Sequence, residues 1–134
     1  MRTRTTLRRA FGLVLATAAM GASLVVVHGA PAAAYTNHDG YCTSSEVCLY
    51  RDTSYHSCND DYGSDISNYS GRTYADCASF SLNDSVSSFF NNAWYEGVDL
   101  YENSNYGGSS IGIGAGSGRT SMGVMDNAAS SHYW

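Results

Sequence analysis

One six-residue pattern occurs twice in this chain, and it limits the architectures open to it more than any other feature. Asn83-Asp84-Ser85-Val86-Ser87-Ser88 returns as Asp126-Asn127-Ala128-Ala129-Ser130-Ser131. Both copies read Asn/Asp, Asn/Asp, two variable residues, then Ser-Ser, and both lead into aromatics, Phe89-Phe90 and Tyr133-Trp134. Upstream of each copy lies a second matched pair: the segment from Val47 to Tyr55 is echoed by the segment from Val98 to Tyr106. A strand-like segment followed by an oxygen-rich loop, and then the same again, describes a tandem duplication. Such a chain folds as two copies of one supersecondary unit packed together.

The first 34 residues read as a secretory leader. Arg2, Arg4, Arg8 and Arg9 form a basic start, Phe11 to Val27 is apolar and rich in small residues, and Ala32-Ala33-Ala34 offers a cleavage site. Cleavage there removes four of the seven Arg and none of the twelve Asp and Glu. Three positive charges then face twelve negative ones, a net charge of −9. Nucleic acid and anionic membrane both need a basic footprint, so neither is an expected partner, whereas a cation is.

The remaining residues, 35–134, are enough for one domain with a modest core. They contain Cys42, Cys48, Cys58 and Cys77, an even number in an oxidising compartment, which implies two disulfides with three connectivities open. Sequential pairing closes the shortest loops and is the expected one, each bridge contributing ~2–3.5 kcal/mol. Eleven Tyr, abundant Gly and Ser, no Lys and no Pro after Pro31 favour strands joined by turns. No window keeps apolar residues at helical spacing over three turns. Strands are expected at Val47 to Tyr50, Ala78 to Leu82, Val86 to Phe90, Ala93 to Tyr95, Val98 to Tyr101 and Ile111 to Ile113. Phe80 and Leu82 are expected to share one face. The fold class is therefore all-β, an antiparallel sandwich of two Greek keys spanning about 41–92 and 93–134.

At these residues the chain resembles the βγ-crystallin family. Tyr101-Glu102-Asn103-Ser104-Asn105-Tyr106-Gly107-Gly108 matches the aromatic-x4-aromatic-x-Gly corner of that family's Greek keys; Tyr50 to Ser57 matches it except that Ser57 stands in the glycine position. The two duplicated loops match the family's Asn/Asp-Asn/Asp-x-x-Ser/Thr-Ser calcium clamp. The opening from Cys42 to Tyr50 is similar to secreted bacterial proteins of peptidase inhibitor family I36, which share the fold and include metalloproteinase inhibitors.

The resemblance implies a calcium site in each half, up to two ions. Calcium takes six to eight oxygen ligands. Asn83 and Asp84, or Asp126 and Asn127, open the two loops; Asp84 or Asn127 would give a side-chain oxygen, Ser87 or Ser130 a hydroxyl, and Ser85 or Ala128 a carbonyl. In the family, ligands are exchanged between the loops and a carbonyl from the opposite corner completes each site; by position those corner residues are Glu102 and Arg51. The competing account is that these residues form Asx- and Ser-turns without any ion.

No enzyme is expected. His38, His56 and His132 are isolated, no Gly-x-Ser-x-Gly elbow occurs, and the Gly-rich stretch from Gly112 to Thr120 departs from a phosphate loop at its lysine and first glycine. Asp60-Asp61 reads as a solvated loop. The resemblance implies a secreted proteinase inhibitor acting on a metalloproteinase, and a monomer is expected. Two segments of this chain, Asn59 to Asp76 and Gly107 to Gly118, are candidates to occupy a protease cleft, with the inhibitory loop itself unassigned. The family inhibitor's reactive bond lies in a disulfide loop in the latter part of the chain, and here no Cys follows Cys77. The other expectations are a calcium-stabilised extracellular binding or structural module and a killer-toxin-like antimicrobial protein.

Overall fold

A computed structural model describes residues 38–134; the expected leader, residues 1–34, lies outside the described residues. Seven strands form in order: β1 (Val47–Tyr50), β2 (Asn59–Tyr62), β3 (Ser88–Asn91), β4 (Val98–Asn103), β5 (Gly107–Ile113), β6 (Gly118–Arg119) and β7 (Ser131–Tyr133). One sheet has the order β2-β1-β3-β6 and the other β5-β4-β7, with every pairing antiparallel. A bridge between Ile66 and His132 occupies the free side of β7. The two units therefore exchange their third segments: β6 of the second lies beside β3 of the first, and Ile66 of the first lies beside β7 of the second. Neither Greek key is complete without the other, which is why the duplication makes one domain. Among the described residues no helix is long and apolar enough to cross a membrane.

The core lies where the inward residues of the two sheets meet. Val47, Leu49 and Phe89 come from one sheet and Val98 and Leu100 from the other, joined by Leu82, Val86, Met122, Met125 and three buried tyrosines, Tyr62, Tyr69 and Tyr74. β4 alternates as a half-buried strand should, with Val98 and Leu100 inside and Asp99 out. β1 is buried on both faces because residues 38–46 cross its outer side. Cys42–Cys48 ties that segment to β1, and Cys58–Cys77 ties the start of β2 to the long connection after it.

Several expectations give way. Ala78–Leu82 forms turns rather than a strand, with Leu82 buried and Phe80 exposed, so the two do not share a face. Alternation misled there because Phe80 N–H closes a turn on Cys77 O and the stretch pairs only through one isolated bridge, Ser81 with Thr73. Ala93 to Tyr95 is likewise a bend. Asp60 and Asp61, read as solvated, lie fully buried on β2.

Both carboxylates have partners that the sequence conceals. Asp60 is paired with Leu49 on the core side of β2; it accepts bonds from the Tyr62 hydroxyl at 2.6 Å and from His38 Nδ1 at 2.7 Å. Asp61 faces the crossing segment and accepts from Gly40 N–H at 2.7 Å and Asp39 N–H at 3.1 Å. His132 is buried between Ser64 and Tyr69. The Ser64 carbonyl can only accept, so Nε2 carries the proton and the Tyr69 hydroxyl donates to Nδ1 at 2.7 Å. Burial pushes His132 down to about 4, so the ring is neutral at ordinary pH.

Burial also raises both aspartates, Asp61 to about 6. A carboxyl whose pKa is higher in the folded than in the unfolded chain adds stability below its unfolded value of 3.8 and loses it as pH rises through about 6. Urea unfolding at pH 4.5 should therefore show roughly 2 kcal/mol more stability from this group than at pH 7. Asp61→Asn, which keeps an oxygen for Gly40 N–H, should flatten that part of the profile. An unchanged profile in the variant would show that Asp61 is not the group responsible.

Candidate functional site

The duplicated corners fold alike down to single dihedrals. After β1 the chain makes a 3-10 turn at Thr53–Tyr55, and after β4 another at Ser104–Tyr106. Ser54 and Asn105 take φ of 59° and 56°, and Tyr55 and Tyr106 both take 61°. Each corner closes on an edge-to-face tyrosine pair, Tyr50–Tyr55 and Tyr101–Tyr106. Four left-handed non-glycine residues carry a conformational cost of about 1–2 kcal/mol each and need fixed partners.

The second serine of each Ser-Ser pair supplies them. Ser88 Oγ accepts from Tyr55 N–H at 3.0 Å and donates to Asp52 O at 2.6 Å. Ser131 Oγ accepts from Tyr106 N–H at 3.1 Å and donates to Asn103 O at 2.7 Å. A hydroxyl can do both at once, which explains a serine at this position in both copies. Ser88 and Ser131 are absent from the sequence-derived ligand set, although the repeat itself marked them.

The first four loop positions form a pseudo-symmetric pair. Asp84 N–H donates to Ala129 O at 3.0 Å and Asn127 N–H to Val86 O at 3.1 Å, so the loops lie alongside each other. Asp84 and Asn127 share φ of 56°. Ser87 N–H donates to Tyr50 O and Ser130 N–H to Tyr101 O, which sets each loop against a corner, one residue from Arg51 and from Glu102. The Asp84 carboxylate accepts from Ser130 Oγ of the opposite loop at 2.9 Å and from Asn83 Nδ2 at 2.7 Å.

The two halves differ in chemistry. Among the described residues no bond joins Asn127 to Ser87; Asn127 Nδ2 donates instead to Asp126 at 3.2 Å. Ser85 O accepts from the buried Tyr74 hydroxyl at 3.0 Å, and Ala128 is no more than a backbone counterpart to it. The Arg51 guanidinium is drawn over the Phe80 ring at 3.9 Å. Glu102 is exposed and its carboxylate accepts from Ser109 N–H at 3.2 Å.

An oxygen-only donor set fits a hard cation. Asp84 and Ser130, one from each loop, meet at one point and provide a carboxylate and a hydroxyl there. The mirror position holds the Asn127 amide and Ser87. The one cluster of other metal-capable side chains found among the described residues, Cys58, Asp76 and Cys77, includes both sulfurs of a disulfide and is no ligand set.

No family model matches the sequence, and no curated protein does. Solved structures do match. One described under the evolution of the eye-lens βγ-crystallin domain fold has a TM-score of 0.57 at 20% identity, covering 70% of this chain and 88% of its own. A βγ-crystallin from an archaeon gives 0.51 at 24%, covering 68% and 98%. A double mutant of a βγ-crystallin domain from Clostridium beijerinckii gives 0.53 at 22%, covering 67% and 96%. The protein has the βγ-crystallin fold: a disulfide-braced all-β sandwich of two Greek keys.

The corner geometry makes a test. Ser57 takes φ of 67° where its counterpart Gly108 takes 77°. A Cβ at Gly108 would meet Asn103 Nδ2 at 2.6 Å. Ser57→Gly should raise stability by about 0.5–1 kcal/mol, strain relief less the added chain entropy. Gly108→Ser should lower it by at least ~1–2 kcal/mol. Thermal unfolding of the two variants checks the pair, and equal effects of the same sign would refute the equivalence of the positions.

Proposed function

We propose that this is a secreted, monomeric, calcium-stabilised module whose paired loops hold the ion and which acts by binding rather than catalysis. The observation that carries the reading is the Asp84–Ser130 contact, which joins loops 46 residues apart through two oxygen donors of the kind calcium takes. When bound, the ion supplies a positive charge that ties the loops; Asp84 and Ser130 orient toward it, and Asn83 steadies the carboxylate. Export is supported by the basic-then-apolar opening of the sequence and by the two disulfides, which persist in oxidising compartments.

The proteinase-inhibitor reading draws less from the geometry. Asn59–Tyr62 of the first suggested segment is strand β2, and backbone bonds at Ile66, Tyr69, Arg72, Tyr74 and Cys77 hold the rest. Gly107–Ile113 of the second is β5. Neither segment offers a reactive bond that its chemistry singles out. Calcium stabilisation is therefore the function put forward, with protease binding as one use of such a module.

Because one site has a carboxylate and its mirror an amide, the proposal gives unequal sites. Calorimetry on residues 35–134 should find a first calcium ion with Kd of roughly 10⁻⁵ to 10⁻³ M and a weaker second. Asp84→Asn should weaken the first about tenfold, and saturating calcium should add about 1.4–2.7 kcal/mol of stability. Neither heat nor a Tm shift at millimolar calcium would sink the reading.

A further inference from the structure

Four stretches of chain converge on a cleft that neither the Greek keys nor the paired loops use. Its volume is ≈ 530 Å³, and it is lined by Trp94, Tyr95 and Trp134 together with Asp65 and Glu96. Trp94 is 71% exposed and Tyr95 94% exposed, so neither ring contributes much to the core. Large rings left in water usually mark a contact surface.

The loop that presents them is built, not slack. Asn91, fully buried at the end of β3, spends its side chain on this bend. Its Nδ2 donates to Glu96 O at 2.7 Å and to Gly114 O at 3.3 Å, and its Oδ1 accepts from Ala93 N–H at 2.9 Å. Asn92 holds the other side, donating from N–H to Glu46 O and from Nδ2 to Cys42 O and accepting from Ser45 N–H. A buried amide that bonds the backbone of Ala93, Glu96 and Gly114 sets the chain path that presents Trp94, Tyr95 and Glu96 before any partner arrives, which lowers the ordering cost of binding.

We propose that this cleft binds a cationic side chain, a guanidinium or ammonium group carried by a basic peptide segment. The lining has two carboxylates and no basic residue. Asp65 accepts a single bond, from Trp134 N–H at 2.9 Å, and the Glu96 carboxylate has no hydrogen bond or ion pair among the described residues. Covering such carboxylates with a neutral ligand costs desolvation free energy, whereas a cation recovers it through charge pairing. The rings add a second attraction of the same sign, since a cation over the face of Trp or Tyr is drawn to the negative π face. The acidic chain as a whole steers a positive partner toward it.

The test uses the fact that the chain has two Trp, and both line the cleft. Tryptophan emission of residues 35–134 is followed while a tetra-arginine peptide is added, with a neutral N-acetylglucosamine tetramer in parallel. The expected result is a saturable change with the peptide alone. Its Kd should rise about tenfold in Glu96→Gln and in Asp65→Asn, which keeps an oxygen for Trp134 N–H, and should rise with added salt. Asp52→Asn, an equal loss of charge outside the cleft, should bind as the parent does. Equal weakening by Asp52→Asn would mean diffuse attraction to an acidic surface and overturn the proposal. So would silence toward the peptide, or a response to the oligosaccharide alone, which would make the cleft a glycan site. The cleft and the paired loops share no residue, so a failed calcium titration leaves this test standing.

Discussion

The structure depends on a serine hydroxyl used twice in the same way. Ser88 and Ser131 each receive a tyrosine N–H and return a proton to the carbonyl three residues earlier, across the mouth of a corner whose backbone runs through left-handed dihedrals. Those dihedrals are unfavourable in isolation, and the hydroxyl gives each corner a donor and an acceptor that water would supply less rigidly. Since each serine also begins the strand that pairs with the one leading into its corner, β3 against β1 and β7 against β4, the same residue ties corner and sheet together. The same segment carries the oxygen-rich loop one residue earlier. The paired loops are thus held by the very bonds that close the two keys.

Divergence between the halves follows from what each must cover. The second half turns from β5 to β6 over a few Gly-rich residues, while the first sends a long connection from Tyr62 to Ser88 across the domain. That connection places Tyr69 and Tyr74 in the core, gives Ile66 to β7 and is braced by Cys58–Cys77. Buried tyrosines need partners for their hydroxyls: Tyr69 finds His132 on β7 of the second half, and Tyr74 finds Ser85 within its own half. The second copy needs none of this, so it stays short.

How much was legible in the sequence tracks whether the signal was local. The corners and loops were readable because their chemistry repeats at fixed spacing: Tyr50 with Tyr55, Tyr101 with Tyr106, Asp84 with Asn127. β1 and β4 were readable from short apolar runs. β2 was not, because Asn59-Asp60-Asp61-Tyr62 has the composition of a turn; it is a strand only because His38, Gly40 and Tyr62 satisfy its carboxylates from distant or alternating positions. Ala78 to Leu82 failed the other way, an alternating pattern whose backbone makes a turn and one isolated bridge instead of a ladder. Trp94 and Tyr95 looked like strand residues, and nothing in the sequence could reveal that Asn91 folds the chain back beneath them.

The two-fold pattern also explains why the paired loops need not be equal. The left-handed φ at Asp84 and Asn127 and the paired N–H bonds hold the shape of both loops through the backbone. Asp and Asn both accept that conformation more readily than other non-glycine residues, so the exchange of carboxylate for amide costs the fold little. It changes what the site can hold. The Asp84–Ser130 bond ties the keys through a charged acceptor, whereas Asn127 turns to its own neighbour Asp126. The fold is therefore symmetric where it must be, in backbone and corner serines, and asymmetric where side chains are free to specialise.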